Sequence, residues 1–542
     1  MTSPSTPSTP STPSTPSTPS TPASPPSPTA GPAGAAPYRS RFQPGRDGFT
    51  RTLHAEWSKF WTVRGWLLVL VLAAAGTVVV SQLGASGAVD GSNEQVRIVS
   101  APDGTRVDDT FRFVHRPLTG NGSVTVRVAG VGGREGNPPE PWAKAGVIVK
   151  SGLTPGSSYV ALMVTPDHGV RMQWDFTHDV HGSAATARWL RLTRSGRELT
   201  GYESPDGRAW TKIATVRPAD LPRTARAGLF VATPAHSTLR RSLGGTSETA
   251  GTTTATASFD HAALRGTTAD PSWTSTDVGA PDPDDPNLPE SGPARPVPGS
   301  TEATGDGAFT VTGQGDIAPD QTGADIVQMS FQGVFVGILF VAALGALFVT
   351  AEYRRGMIRT TFTANPRRGR VLAAKVLVIG GATFATGLVA AALAFPLAQD
   401  RLRSNGFAPP AYPDLSLLEG AAPRAVVGSA LLLSLVAILA LALGAVLRNS
   451  AGAITAVVVL VLLPQILAFA LPLPAAQWLL RLTPAAAFAI QQGVTYYPQM
   501  DHNCLPESGC YPLAPWNGLA VLGAYVAVAL ALAAWRLRRR DA

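Results

Sequence analysis

His178 and His181 stand three positions apart and could offer two imidazoles to one metal ion, but two histidines on a strand-and-loop background leave the ligand set incomplete. Cys504 and Cys510 lie six positions apart in a short polar loop. They could form a disulfide, remain free thiols or bind a metal. No third or fourth ligand type stands nearby to favour the metal. Gly313-x-Gly315-x-x-Ala318 has the outline of a dinucleotide loop. It lies in a stretch rich in Thr, Pro and Asp, with no strand before it or helix after it, and is read as chance. Trp142, Trp174, Trp189, Tyr202 and Trp210 could stack on sugar rings. Each could equally be a core aromatic between two sheets. No carboxylate pair of the glycosidase kind accompanies them. Also absent are G-x-x-x-x-G-K-[ST], H-E-x-x-H, G-x-S-x-G and C-x-x-C, so no phosphate loop for a nucleotide is written into this chain.

The elements that would carry these residues are legible in the distribution of apolar residues. The 542 residues are 45% hydrophobic but only 15% charged, where roughly a quarter is ordinary for a soluble protein. The apolar residues are concentrated in runs at about 65–83, 327–350, 371–397, 425–447, 451–472 and 517–535, and roughly 20 such residues cross a bilayer. The first run starts too deep in the chain for a secretory signal. Phe49 to Arg64 places Leu53, Trp57 and Phe60 on one helical face beside basic residues, as suits a helix in the headgroup region. Residues 1–45 open with repeated Ser-Thr-Pro triplets that block helix and offer nothing to bury, and read as a disordered tail. Residues 46–86 then hold the interfacial helix and first span.

Between the first two spans, residues 95–265 alternate apolar and polar side chains in segments such as SVTVRVAGV, AGVIVKSG and AGLFVAT. This is the pattern of an antiparallel sandwich with one face of each sheet buried. Ser204-Pro205-Asp206-Gly207 marks a hairpin turn. Residues 266–324 read as a flexible linker in which Phe309–Thr312 forms a short strand, and residues 325–542 carry the remaining spans. Leu473 to Trp516 holds amphipathic pieces too short to cross, which dip into the outer leaflet on this reading.

The net charge of +8 sits at the ends of the apolar runs, including Arg354, Arg355, Arg359, Arg367, Arg368, Arg370 and Lys375, and again Arg536, Arg538, Arg539 and Arg540. This is a positive-inside distribution rather than a nucleic-acid-binding surface. Both termini then fall on the cytoplasmic side of a plasma membrane, with 95–265 outside. The cysteine loop lies outside too, where an oxidising environment favours a Cys504–Cys510 disulfide.

TAEYRRGMIRTTFTANPRRGRVLAAK (350–375), together with HAEWSKFWTVR near the start and LTPAAAFAIQQG and PLAPWNGLAVL toward the end, resembles the export-type ABC transporter permeases of high-GC Gram-positive bacteria. The resemblance implies an elbow helix at 49–64 and a coupling helix at about Arg355–Phe362 that docks on a separate ABC ATPase subunit. That subunit would hold the ATP and Mg, and no cofactor is expected in this chain. Glu352, Arg355, Gly356, Met357, Ile358 and Phe362 are the residues implied in the contact. The resemblance also implies a dimer with a second permease subunit, identical or not, surrounded by membrane lipid. PWAKAGVIVKSG, LRLTRSG and ESPDGRAWTKI resemble concanavalin-like jelly rolls, in which Trp142, Trp174, Trp189 and Trp210 would be the candidate glycan contacts.

The expected fold is therefore multi-domain: a polytopic helical membrane domain of about six spans, with an all-β jelly-roll sandwich inserted between helices 1 and 2. The expected function is the non-enzymatic permease subunit of an ATP-driven exporter. The competing reading is a membrane-anchored extracellular carbohydrate-binding protein or sensor, for which six spans are more than an anchor needs. A cell-wall hydrolase would require a carboxylate constellation that the sequence lacks.

Overall fold

The computed structural model describes residues 48–88, 98–133, 138–184, 189–242, 245–267, 272–280, 298–305, 307–320, 324–364, 367–409, 411–500 and 504–539. The expected tail at 1–45 lies outside the described residues, as does 281–297 of the expected linker. Two helices come first, α1 (Phe49–Thr62) and α2 (Arg64–Gly87), joined at Val63, whose extended backbone turns the chain between them. α1 buries Glu56 and Phe60 and leaves Trp57 and Trp61 exposed.

Among the described residues seventeen strands follow before the next helix: β1 (Val107–Asp109), β2 (Phe111–Gly132), β3 (Lys144–Lys150), β4 (Tyr159–Thr165), β5 (Gly169–Trp174), β6 (His178–His181), β7 (Trp189–Ser195), β8 (Glu198–Ser204) and β9 (Thr211–Val216). They continue with β10 (Thr224–Ala232), β11 (His236–Ser242), β12 (Gly245–Gly251), β13 (Ala255–Thr267), β14 (Thr274–Val278), β15 (Ser300–Gly305), β16 (Ala308–Gly313) and β17 (Ile317–Pro319).

Thirteen of these strands form one sheet that folds over on itself through the long strand β2. Its first half pairs with β10 and β14, and β10 leads on through β3, β4 and β5 to β6. Its second half pairs with β13 and β7, which lead to β16 and β15 on one side and to β8 and β9 on the other. The bend falls at Gly120, with φ +67°, and at Gly122, where a Cβ would meet the Arg265 carbonyl oxygen at 2.4 Å. The two layers enclose a core to which both halves contribute: Val114 and Leu118 from the first half, Val124, Val126 and Val128 from the second, with Leu162, Leu192 and Leu229 among their neighbours. Alternation along β7 and β8 puts Leu190, Leu192 and Leu199 inward and their neighbours outward, as the period of two requires.

Much of the stretch expected to be linker is sheet. β14 pairs with β2, β16 with β13 and β15 with β16, while β17 forms a separate ribbon with β1. Composition misleads here, because Thr and Ser suit a half-solvated edge strand as well as they suit a linker. Two residues of β16, Phe309 and Val311, are enough to anchor that edge in the core.

After the strands come α3 (Ile326–Met329), α4 (Val334–Arg354), α5 (Met357–Ala364), α6 (Arg368–Ser404), α7 (Ala422–Leu447), α8 (Ser450–Val461), α9 (Leu463–Ala468), α10 (Leu473–Leu482) and α11 (Pro515–Arg539). Among the described residues, six helical segments are long and apolar enough to cross a membrane: α2, α4, α6, α7, the α8–α9 unit and α11. They mark the chain as a membrane protein. The second span begins at Val334, not 327. Asp325 caps the short α3, and the chain turns before Gly333, where a Cβ would meet the Thr77 carbonyl oxygen at 1.8 Å. Pro464 sits in the first turn of α9, the position where proline costs a helix least, and divides the fifth span there. The expected shallow pieces prove to be α10 and a 3-10 helix, Pro484–Gln491, whose eight residues are all buried. Gly518 of α11 lets that segment approach closely, since a Cβ there would meet the Ala486 carbonyl oxygen at 2.1 Å.

Candidate coupling region

One end of the helical bundle is basic, and its arginines are held by neighbouring helices. Arg368 Nη1 donates to the Leu537 carbonyl at 2.7 Å, and Arg536 Nη1 donates to the Val446 carbonyl at 2.5 Å. The Arg448 guanidinium lies 5.1 Å from the Tyr353 ring centre. These contacts bring the C-terminal ends of α4, α7 and α11 and the start of α6 to one face. Cations beside the last carbonyls of α7 and α11 complement the negative ends of those helices.

Between α4 and α6 the chain makes the short helix α5. Gly356, at φ +68°, supplies the left-handed residue that turns the chain out of α4. Met357, 43% exposed, faces outward, whereas Ile358, 7% exposed, is turned inward. The pair expected on the surface is therefore split by helical geometry, because consecutive residues are about 100° apart. Arg355 is exposed in the turn before α5. Phe362 falls within α5, but its side chain lies outside the described residues.

Glu352, expected on the surface, points into the bundle. Its Oε1 accepts from Lys375 Nζ of α6 at 2.7 Å and from Lys59 Nζ of α1 at 3.4 Å. Lys375 Nζ also donates to Glu56 Oε2 of α1 at 2.8 Å, and Lys59 Nζ donates to Glu56 Oε1 at 3.0 Å. Two carboxylates and two ammonium groups thus close a neutral cluster that ties α1 to α4 and α6. Lys375 also sits 4.7 Å from the Phe348 ring centre, and Phe60 packs edge-on against that ring. Burial works to lower the Lys59 ammonium, but Glu56 and Glu352 outweigh it, and the group titrates above its usual range. Counted in sequence as part of a basic loop, Lys375 is a buried counter-ion within α6. The signal was present: a lysine inside one apolar run and a glutamate at the end of another call for each other.

The opposite end of the bundle meets the β-domain. Arg241 of β11 donates to the carbonyls of Ala468 and Leu471 at 3.0 and 2.8 Å, capping the end of α9. Gln499 Nε2 donates to the Phe176 carbonyl at 3.3 Å. Asp325 accepts from the backbone N–H groups of Val327 and Gln328 and from Gly493 and Val494, joining α3 to the segment after the 3-10 helix. Burial pushes its carboxyl up to about 6, and those four donors hold it from rising further. Cys504 and Cys510 form a disulfide, with Cα atoms 5.0 Å apart. Next to it Tyr511 accepts from both Gln328 and Gln465. Burial raises the Tyr511 hydroxyl well above its usual range. Asp325 as the N-cap of α3 follows a local signal, but its contacts with Gly493 and Val494, and those of Tyr511, do not.

The four tryptophans already have partners within the chain. Trp142 is buried, stacked on His168 at 3.9 Å between centres, with the Arg171 guanidinium 5.0 Å away. Trp174 stacks on His178 at 4.8 Å, and Trp189 lies 5.0 Å from His261. Arg191 lies 3.8 Å from the Trp210 ring centre, and Trp210 Nε1 donates to the Gly207 carbonyl. His181 meets the Arg171 guanidinium, a fixed cation that opposes a metal ion at the same ring. Tyr202 is half-buried, opposite Arg191 in the sheet register. Compared with known families and with curated proteins, the chain matches no family model and none of the curated proteins.

Proposed function

We propose that this chain is the permease subunit of an ATP-driven exporter of the ABC type, working with a separate ATPase subunit and a second permease subunit. The observation that carries this reading is the short helix α5, set between two apolar spans on the basic face. Its base is fixed to α1 and α6 through Glu352 and Lys375. A push on α5 would reach the spans through the turn at Gly356, the end of α4 and that buried cluster. The basic face is then cytoplasmic, the β-domain extracellular, and ATP and Mg belong to the partner. The folded-over β-sheet is read as a concanavalin-like jelly roll that contacts glycan, cargo or a partner outside the cell. The partners already held by its four tryptophans favour a surface of another composition for that contact.

Co-purification tests the reading. The solubilised full chain, expressed with a candidate ABC ATPase subunit from the same genome, is expected to bring that ATPase through affinity capture and gel filtration. A chain that emerges alone under those conditions counts against a permease. It would leave the competing membrane-anchored receptor.

A further inference from the structure

A groove of about 500 Å³ runs between α1 and α6, lined by Thr50, Leu53, His54 and Trp57 on one side and by Leu377 and Val378 on the other. Its lining is largely apolar and open to the surroundings: Trp57 is 41% exposed and Leu377 54%. One turn further along α6 a Cβ on Gly381 would meet nothing within 4 Å, so the helix face beyond the groove is uncovered. The charge is unevenly placed. Exposed Arg51 flanks His54 on α1, and Arg370 lies two turns nearer the basic face than Leu377 on α6. An apolar trough with cations at its headgroup end complements an amphiphile with an anionic head and a long hydrocarbon tail.

We propose that the α1–α6 groove is a binding site for one anionic phospholipid of the inner leaflet, its head at Arg51 and His54 and its acyl chain along Leu377 and Gly381. The site has a structural consequence. Glu56 and Lys375, neighbours of Trp57 and Leu377 on the same two helices, form the 2.8 Å ion pair joining α1 to α6. A lipid wedged in the groove sets the spacing that this ion pair bridges. The proposal rests on α1 lying at a membrane surface and is independent of any ATPase, so its failure leaves the exporter reading standing.

The test uses the full chain reconstituted in nanodiscs of equal phosphatidylglycerol and phosphatidylcholine, re-extracted in mild detergent and weighed by native mass spectrometry. A single phosphatidylglycerol is expected to stay bound, favoured over phosphatidylcholine by roughly five-fold for each basic contact. Leu377→Trp, which fills the groove, is expected to lose it. Leu393→Trp, at another exposed position of α6, should keep it. Arg51→Glu, a surface change that does not threaten folding, should retain lipid but lose the preference for the anionic head. The proposal is overturned by a wild-type chain that retains no lipid, as when a second copy covers the groove. Equal retention of both lipids, or equal loss in the two tryptophan variants, overturns it as well.

Discussion

The ammonium of Lys375 lies 2.8 Å from the carboxylate of Glu56, a residue 319 positions earlier in the chain. This contact fastens α1 to α6, while Glu352, 2.7 Å from the same nitrogen, brings in α4. Glu352 Oε2 is buried and makes no hydrogen bond among the described residues, so the cluster is balanced in charge but not fully satisfied. Such a group stabilises little by itself and is costly to break, because removing Lys375 leaves the buried Glu56 and Glu352 with only the half-exposed Lys59 as counter-ion.

Lys375→Met is therefore expected to destabilise the protein by about 3–5 kcal/mol, read as a lowered thermal midpoint in detergent. Adding Glu352→Gln to Lys375→Met should recover a large part of that loss, since it removes the stranded charge. A single variant as stable as wild type would show that the cluster is open to water.

Met357 and Ile358 now separate two effects that adjacent residues would otherwise confound. Met357→Asp should change stability by no more than about 0.5 kcal/mol, as an exposed substitution does. It should also weaken substrate-stimulated ATP hydrolysis by a captured ATPase about ten-fold, as loss of an interface anchor does. Ile358→Asp buries a charge and should lower the thermal midpoint whether or not an ATPase is present. Stimulation unaffected by Met357→Asp would remove α5 from the contact.

In the β-domain, burial and then the neighbouring Asp316 push the Asp108 carboxyl up to about 7, with Asp320 and Asp109 adding to the effect. A folded-state value above the unfolded one means that the folded protein holds the extra proton. The stabilisation is complete below about pH 4 and is lost as pH rises through about 7. Asp108→Asn should thus leave stability near pH 4 unchanged and raise it at about pH 8 by on the order of 2 kcal/mol, allowing for partial exposure. Parallel melting curves of the two full-length proteins from acid to alkaline pH measure the difference. A constant offset across the range would show that Asp108 titrates normally.

Period-two alternation was enough to mark β7 and β8, because one buried face of a strand dictates every second residue. The expected alternation does not hold for β3, β4 and β10, which are buried on both faces and so read as short apolar runs. Length and apolarity were enough to mark the six long helices, because a bilayer tolerates little else over twenty residues. Polar edge strands β14 and β15 carried no such pattern, since their hydrogen bonds to β2 and β16 are backbone bonds that any composition can make.

By itself, the sequence determined which segments are apolar enough to enter a membrane, where the basic residues gather, and that the stretch between the first two spans is largely sheet up to about residue 265. These follow from side-chain chemistry counted along the chain. Only the tertiary structure decided that Lys375 is a buried counter-ion to Glu56 and Glu352, and that Ile358 faces inward while Met357 does not. It also decided that Asp325 joins α3 to Gly493 and that the four tryptophans are partnered. Each of these depends on which groups the fold brings within about 3 to 5 Å from distant positions or turns to a particular face, and no local pattern encodes that distance.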